Sequence, residues 1–219
     1  MFEDAKSDIS GRWGLDPASV PGGVYQLLNS VVVPRAIAWV STRSAAGVDN
    51  LAPHSFFTIS SVDPPVVQFT SVGAKDSLRN AVETGEFVVS VCTEDLIEKV
   101  NVTAVPFPRD VSEYDAAGVT REKSTVVAPP RVAESPVALE CRVIGTRDFG
   151  GGSVVVFGHV VWVAVRPEVV VDDRVDVLKL APISRLGGAA YAPVRDVVHV
   201  PRLTLDQWSE RSDAVRGDR

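Results

Sequence analysis

The residues best suited to chemistry in this sequence lie between Ser71 and Ser77, in the stretch SVGAKDS. A strand-like segment ends at Ser71, a loop containing a glycine follows, and a helical pattern begins near Asp76. Free backbone N–H groups at a helix start, two hydroxyls and the Lys75 ammonium would together suit a phosphate group. An ordinary capped helix beside a solvated lysine uses the same residue types. Both interpretations stay open on these residues alone.

Two other clusters place small polar residues where apolar segments end or begin. Ser41, Thr42 and Arg43 close one segment, and residues 50–55 open the next. Side-chain and backbone groups in such segments can supply hydrogen bonds to a buried heteroaromatic ring. The same residue types also satisfy the backbone of a turn without any ligand.

Motifs of several common enzyme classes are absent from the sequence. The glycine run 150–152 lacks the further glycine of a dinucleotide-binding fingerprint, and there is no P-loop or nucleophile elbow. His54, His159 and His199 lie far apart, without the spacing of metal ligands. We therefore expect no metal site, and the sequence assigns no catalytic residue.

Composition and charge narrow the class of protein further. The 219 residues carry a formal net charge of −6, which argues against a nucleic-acid surface. The sequence shows no secretory signal and no apolar run long enough for a membrane span. Cys92 and Cys141 lie far apart in apolar runs and are interpreted as buried, reduced thiols. These features predict a soluble cytoplasmic protein.

The elements that must position these residues are mainly strands. Helical patterns cover residues 22–30, 76–84 and 94–104, and strand patterns cover 31–41, 51–59, 66–71, 86–92, 137–147 and 153–165. Turn residues at 46–50 and 148–152 predict two hairpins. The segment 153–165 is apolar at almost every position, which predicts cover on both faces from helices or a second subunit. A mainly β, Greek-key or split barrel with short flanking helices is favoured over a parallel α/β sheet.

With these segments in view, the chain resembles the flavin reductase-like, FMN-binding split-barrel proteins. The nearest branch is the one named for the reductase component of nitrilotriacetate monooxygenase. The resemblance is carried by PRAIAWVSTRSAAGVDNLAPHSFFTISSVDPPVVQFTS, KDSLRNAVETGEFVVSV, RVAESPVALECRV and RLGGAAY, in that order across residues 34–191. It implies a single domain over residues 1–219, with a core at about 22–201 and polar tails. That domain would be a six-stranded Greek-key split barrel that forms a homodimer with one flavin per subunit near the interface.

The resemblance also implies a set of cofactor-binding residues. The flavin phosphate would meet Ser71, Lys75, Asp76 and Ser77. Ring and ribityl contacts would come from Ala38, Trp39, Val40, Ser41, Thr42, Asn50, Leu51, Ala52, His54 and Ser55. Arg185 and Tyr191 match a segment close to the flavin in such proteins. Ala36 and His54 depart from the pattern, since many relatives have a proline and an aromatic residue there.

The implied function is that of an FMN-binding oxidoreductase. The leading hypothesis is an NAD(P)H-dependent flavin reductase, with FAD as an alternative flavin, that supplies a monooxygenase partner or another acceptor. The absent dinucleotide fingerprint fits this hypothesis, because such relatives hold the nicotinamide folded over the flavin. Two alternatives stay open: an FMN-holding electron carrier or ferric-type reductase, and a flavin- or partner-binding module without turnover.

Overall fold

The computed structural model describes residues 6–7 and 11–209, and a seven-stranded antiparallel sheet forms the centre of this described part. In chain order its strands are β1 Ala38–Arg43, β2 Asp49–His54, β3 Phe57–Val62, β4 Pro65–Val72, β5 Glu86–Val91, β6 Val137–Asp148 and β7 Ser153–Val165. Within the sheet the order is β2-β1-β5-β6-β7-β4-β3. The mainly β split barrel expected from the sequence is confirmed, with seven strands in this sheet rather than six.

The extra strand arises where the barrel closes. β2 and β3 follow each other in the chain but lie at opposite edges of the sheet. At residues 55–56 the chain therefore ends its pairing with β1 and begins to pair with β4. The prediction of a single strand over 51–59 was wrong. A contact from β2 to β4 spans the gap between the edges, with His54 Nδ1 lying 3.3 Å from the Thr70 carbonyl oxygen. Thr70 N–H donates to the Phe56 carbonyl at 2.8 Å, which extends the β3–β4 pairing by one residue.

Short helices and strands surround the barrel. The α-helices are α1 Tyr25–Val31, α2 Asp76–Thr84, α3 Ile97–Val102, α4 Glu113–Ala116 and α5 Val177–Leu180. The 3-10 turns are Pro17–Ser19, Glu94–Leu96 and Pro167–Val169. Paired short strands are Lys6–Ser7 with Trp13–Gly14, Arg121–Glu122 with Arg131–Val132, and Val170–Val171 with Arg174–Val175. A small separate sheet joins Arg35–Ala36, Ile183–Arg185 and Tyr191–Pro193.

The predicted helix over 76–84 is confirmed as α2, and Gly85 ends it in the left-handed region at φ 76°. Lys75 precedes the helix and no side chain caps it, so the capped-helix interpretation of these residues is wrong. Both predicted hairpins are present, β1–β2 and β6–β7. The strand predicted over 31–41 begins later than expected, because α1 runs to Val31 and Pro34 has no N–H for a ladder bond. The helix predicted over 94–104 is divided into the 3-10 turn and α3.

Two hydrophobic clusters pack against the opposite faces of β1. Ala38 and Val40 point into the barrel with Phe69 and Phe87, whereas Trp39 points outward into a second cluster with Leu51 and residues of α3 and α4. This arrangement follows from the period of two along a strand that is buried on both sides.

The outer end of β7 is partly uncovered. Trp162 is 45% and Val163 53% exposed, so one chain does not supply the cover on both faces that its apolar sequence predicts there. None of the helices in the described part of the chain is both long and apolar enough to cross a membrane.

Candidate functional site

Two adjoining cavities form a groove beside the barrel. The larger has a volume of about 770 Å³ and the smaller about 340 Å³, and they meet at Pro53, Lys75 and Ala104. The larger is also lined by α1, Arg35, Ser55 and the 185–191 hairpin. The smaller is lined by Asn50, Ala52, the start of α2, residues 103–109 and Glu113. Cavities of this size are typical of small-molecule and cofactor sites.

The start of α2 opens into the smaller cavity and suits a phosphate. The residue before the helix is Lys75, which is exposed, and no side chain caps the first backbone N–H groups. Arg109 lines the same cavity and lies 3.7 Å from an Asp76 carboxylate oxygen, which also pairs with Arg79. Uncapped N–H groups, a lysine and a nearby arginine are the donors that an anionic ligand needs at a helix start.

A buried polar network lies directly beneath this helix start. Ser77 Oγ donates to Asn50 Oδ1 at 3.1 Å, Thr42 Oγ1 donates to the same oxygen at 3.3 Å, and Asn80 Nδ2 donates to Thr42 Oγ1 at 3.2 Å. Ser71 Oγ donates to the Gly73 carbonyl at 3.0 Å. The hydroxyl hydrogens of Ser71 and Ser77 are thus both donated to protein oxygens and are not available to a ligand. The backbone N–H groups, Lys75 and Arg109 are left as the donors on the cavity side.

The structure separates the expected ring contacts into two groups. Asn50, Ala52 and Ser55 line the groove. Ala38, Trp39, Val40, Ser41 and Leu51 are fully buried and line neither cavity. Their side chains are part of the protein interior rather than of the groove surface. Trp39 Nε1, for example, donates to Thr103 Oγ1 at 2.9 Å at the base of the smaller cavity.

His54 lies inside the barrel and not in the groove. Its ring packs 4.8 Å from the ring of Phe69, and its Nε2 is buried without a hydrogen-bond partner among the described residues. Burial lowers its pKa from 6.5 to about 4, and the positive charge of Lys75 acts in the same direction, against the opposing bond to the Thr70 carbonyl. The imidazole is therefore neutral at pH 7.

Arg185 and Tyr191 come together at the far wall of the larger cavity. The guanidinium stacks 4.5 Å from the centre of the Tyr191 ring, and it also contacts the Tyr191 hydroxyl and the Gly188 carbonyl. The turn between them packs closely against α1, because a Cβ at Gly187 would lie 2.9 Å from Ser30 Oγ. A cation held over an aromatic ring in this way has a fixed orientation.

Arg35 organises the larger cavity, and the sequence interpretation did not select it. Its guanidinium donates to the carbonyls of Asn29 at 2.7 Å, Val32 at 2.8 Å and Leu186 at 3.0 Å. It thereby joins the end of α1 to the 185–191 hairpin. The signal in the sequence was a lone arginine between Pro34 and an apolar strand.

Glu113 is a second residue that the sequence interpretation missed. It is only 6% exposed, lines the smaller cavity and accepts the backbone N–H of Leu51 at 2.9 Å. Burial raises the pKa of this carboxyl, although the bond from Leu51 opposes the change. No local pattern marks it, because the contact joins residues 62 positions apart in the chain.

The two cysteines are free and buried, as expected. Burial raises the pKa of Cys141 to about 12 and also raises the pKa of Cys92. Neither thiol is ionised near neutral pH, so neither is a nucleophile. Within residues 11–209, His, Cys, Asp and Glu side chains form no group of three or more that could hold a metal ion.

Comparisons with known proteins agree on one group of relatives. The family model described as flavin reductase like domain matches residues 30–177. An uncharacterized protein of Halalkalibacterium halodurans is 39% identical over 197 residues, which covers 85% of this chain and 94% of that protein.

Two solved structures are similar over most of their length. Nitrilotriacetate monooxygenase component B from Bacillus cereus is 31% identical with a TM-score of 0.82, covering 85% of this chain and 98% of that one. The 2-nitrobenzoate 2-nitroreductase of Pseudomonas fluorescens is 31% identical with a TM-score of 0.82, covering 88% and 97%.

Proposed function

The chain belongs to the flavin reductase-like domain family, and from that premise we propose that it is an NAD(P)H-dependent reductase that binds FMN in the groove. The observation that carries the proposal is the uncapped start of α2, with Lys75 at the junction of two cavities. An anion site opening onto a cavity with small residues matches a cofactor that joins a phosphate to a planar ring.

The residues present fit such a cofactor. Lys75, Arg109 and the first N–H groups of α2 would hold the phosphate. Ala52 and Pro53 are small and leave room for a ring, and Asn50 and Glu113 offer polar atoms for ribityl hydroxyls. FMN is the proposed flavin, with FAD as the alternative, because FMN ends in a single phosphate that would meet the donors at the α2 start.

The protein contributes to the reaction by orienting the flavin and the second reactant and by excluding water. When bound, a flavin accepts a hydride from a reduced nicotinamide and passes the electrons to an acceptor. Trp39 is fully buried and donates to Thr103 at the base of the smaller cavity, and it would keep water from the back of the groove. The larger cavity leaves space for the second reactant beside Ser55 and Arg185. No protein acid or base is required by this scheme, and none is assigned.

The assembly and the partner are parts of the same proposal. We expect a homodimer, since Trp162 and Val163 on β7 are apolar and about half exposed in the single chain. A monooxygenase is the proposed recipient of the electrons, by analogy with the Bacillus cereus component B. The cytoplasmic location expected from the sequence stays a prediction.

A second function is favoured by one specific observation. The similarity to the Pseudomonas fluorescens nitroreductase equals that to the component B in identity and TM-score. On this alternative, FMN stays bound and the electrons pass directly to a small organic acceptor in the larger cavity.

Steady-state kinetics separate the two functions. Purified protein with catalytic FMN should oxidise NADH or NADPH in the presence of excess free FMN if it is a flavin reductase. Turnover that needs an added organic acceptor and gains nothing from excess FMN would support the second function. No nucleotide oxidation with any flavin or acceptor would refute both.

A further inference from the structure

The lining of the larger cavity is positively charged, whereas the chain as a whole is negatively charged. Its lining includes Arg35, Lys75 and Arg185, and no aspartate or glutamate is among the described residues that line it. The whole chain carries a net charge of −6. A cavity of about 770 Å³ walled only by positive and neutral side chains favours a negatively charged occupant.

The three cations are not equally available to an occupant. Arg35 is 9% exposed, and all three of its nitrogens donate to protein oxygens. Arg185 donates through its two terminal nitrogens to Tyr191 and Gly188, and an arginine carries five N–H groups in all. Its remaining N–H groups are free among the described residues, so Arg185 can bind a ligand while it stays fixed on Tyr191.

The walls beside Arg185 suit a flat ring. Tyr191 and Tyr25 both line the cavity, and amide groups of Gln26 and Asn29 lie on the same α1 side. A guanidinium fork matches a carboxylate in two parallel hydrogen bonds, and tyrosines provide apolar faces for an aromatic ring.

We propose that the larger cavity is a binding site for small aromatic carboxylates, with the carboxylate on Arg185. This inference rests on the second proposed function, in which the flavin phosphate lies at the α2 start and a small organic acceptor lies in the larger cavity. Arg185 is thus the specificity-determining residue that selects an acidic acceptor over a neutral one.

The test uses benzoate as the probe and benzamide as its uncharged analogue, in a ligand-observed NMR titration of the full chain loaded with FMN. Benzoate should bind, and benzamide at least about tenfold more weakly, since a hydrogen bond to a charged group is lost. Arg185→Gln should weaken benzoate by at least about tenfold and leave benzamide unchanged. The benzoate affinity of Arg185→Lys should lie between those of the parent protein and Arg185→Gln, because lysine keeps the positive charge but cannot form two parallel hydrogen bonds.

Arg195→Gln is the matched control, because it removes one positive charge from an exposed arginine that pairs with Glu94 outside the cavity. It should bind benzoate like the parent protein. Equal binding of benzoate and benzamide, or equal effects of the two glutamine variants, would overturn the proposal. So would ADP binding that depends on Arg185 in the absence of benzoate binding, since the cavity would then be a pyrophosphate site.

The same titration on protein without added FMN separates this inference from the proposed function. Benzoate binding that depends on Arg185 in a protein unable to take up FMN would refute the flavin proposal and keep the carboxylate site. FMN uptake without benzoate binding would refute the carboxylate site and keep the flavin proposal.

Discussion

The barrel interior and the groove beside it are built in opposite ways. Most interior residues come from the strands of the main sheet and alternate along them, as Ala38 and Val40 do on β1. The groove combines α1, the end of β2, the start of α2, residues 103–109 and the 185–191 hairpin. Local patterns therefore specify the barrel, whereas the groove depends on a few long-range contacts such as those of Arg35. Substitutions in the first region should change stability, and those in the second should change ligand binding.

The largest effect is expected from Gly158→Ala inside the barrel. A Cβ there would lie 2.2 Å from Phe87 Cζ and 3.1 Å from Cys141 Cβ. Because Phe87 is fully buried in the barrel-interior cluster, the ring must shift against its neighbours, and the free energy of unfolding should fall by about 3 kcal/mol. Gly145→Ala on the neighbouring strand is the control, since a Cβ there meets nothing within 4 Å. Urea unfolding of both variants measures the difference, and similar losses would mean that the barrel is not tightly packed at Phe87.

His54 should make the barrel sensitive to acid. Its pKa is about 4 in the fold and 6.5 in the unfolded chain. Its contribution to stability is thus complete above pH 6.5 and is lost as the pH falls toward 4, by roughly 2–3 kcal/mol. Unfolding curves of the parent and His54→Phe across this range should diverge by that amount. Parallel pH profiles of the two proteins would show that His54 is not buried as a neutral ring.

In the groove, Lys75→Ala should weaken FMN binding by about 1.5–3 kcal/mol, because a charged donor to the phosphate is lost. The unfolding free energy should hardly change, since the side chain is exposed. Fluorescence titration with FMN measures the dissociation constant. Lys179→Ala is the control, a lysine in α5 outside both cavities. An unchanged dissociation constant in the Lys75 variant would show that Lys75 is only a solvated residue at a helix start and does not bind the phosphate.

The smallest effect is expected from Arg109→Gln. Its side chain is 74% exposed, so solvent screens its charge and FMN binding should weaken by about 0.5–1 kcal/mol. The loss should shrink as salt is raised, because the Debye length falls. A loss larger than that of Lys75→Ala would place the phosphate closer to residues 103–109 than to the start of α2.

The sequence predicted the barrel well because the information is local. Alternation, turn residues at 46–50 and 148–152, and Gly85 as a helix end each act within a few positions. The break between β2 and β3 was missed because barrel closure is a property of the whole sheet and not of residues 51–59.

The groove was predicted only in part, for the same physical reason. Lys75, Ala52 and Arg185 were selected and do line it, whereas the selected positions Trp39 and Val40 are fully buried and do not line it. A strand buried on both faces gives no local signal for which residues approach a ligand. Arg35 and Glu113 were missed because their roles come from partners 151 and 62 positions away.

The most direct test of flavin binding in the groove is an absorbance spectrum of the desalted protein after incubation with FMN, repeated anaerobically with NADH and with NADPH. Flavin peaks should remain with the protein and should bleach with at least one nucleotide. A colourless protein that retains no FMN would contradict flavin binding, and the groove would then need another occupant.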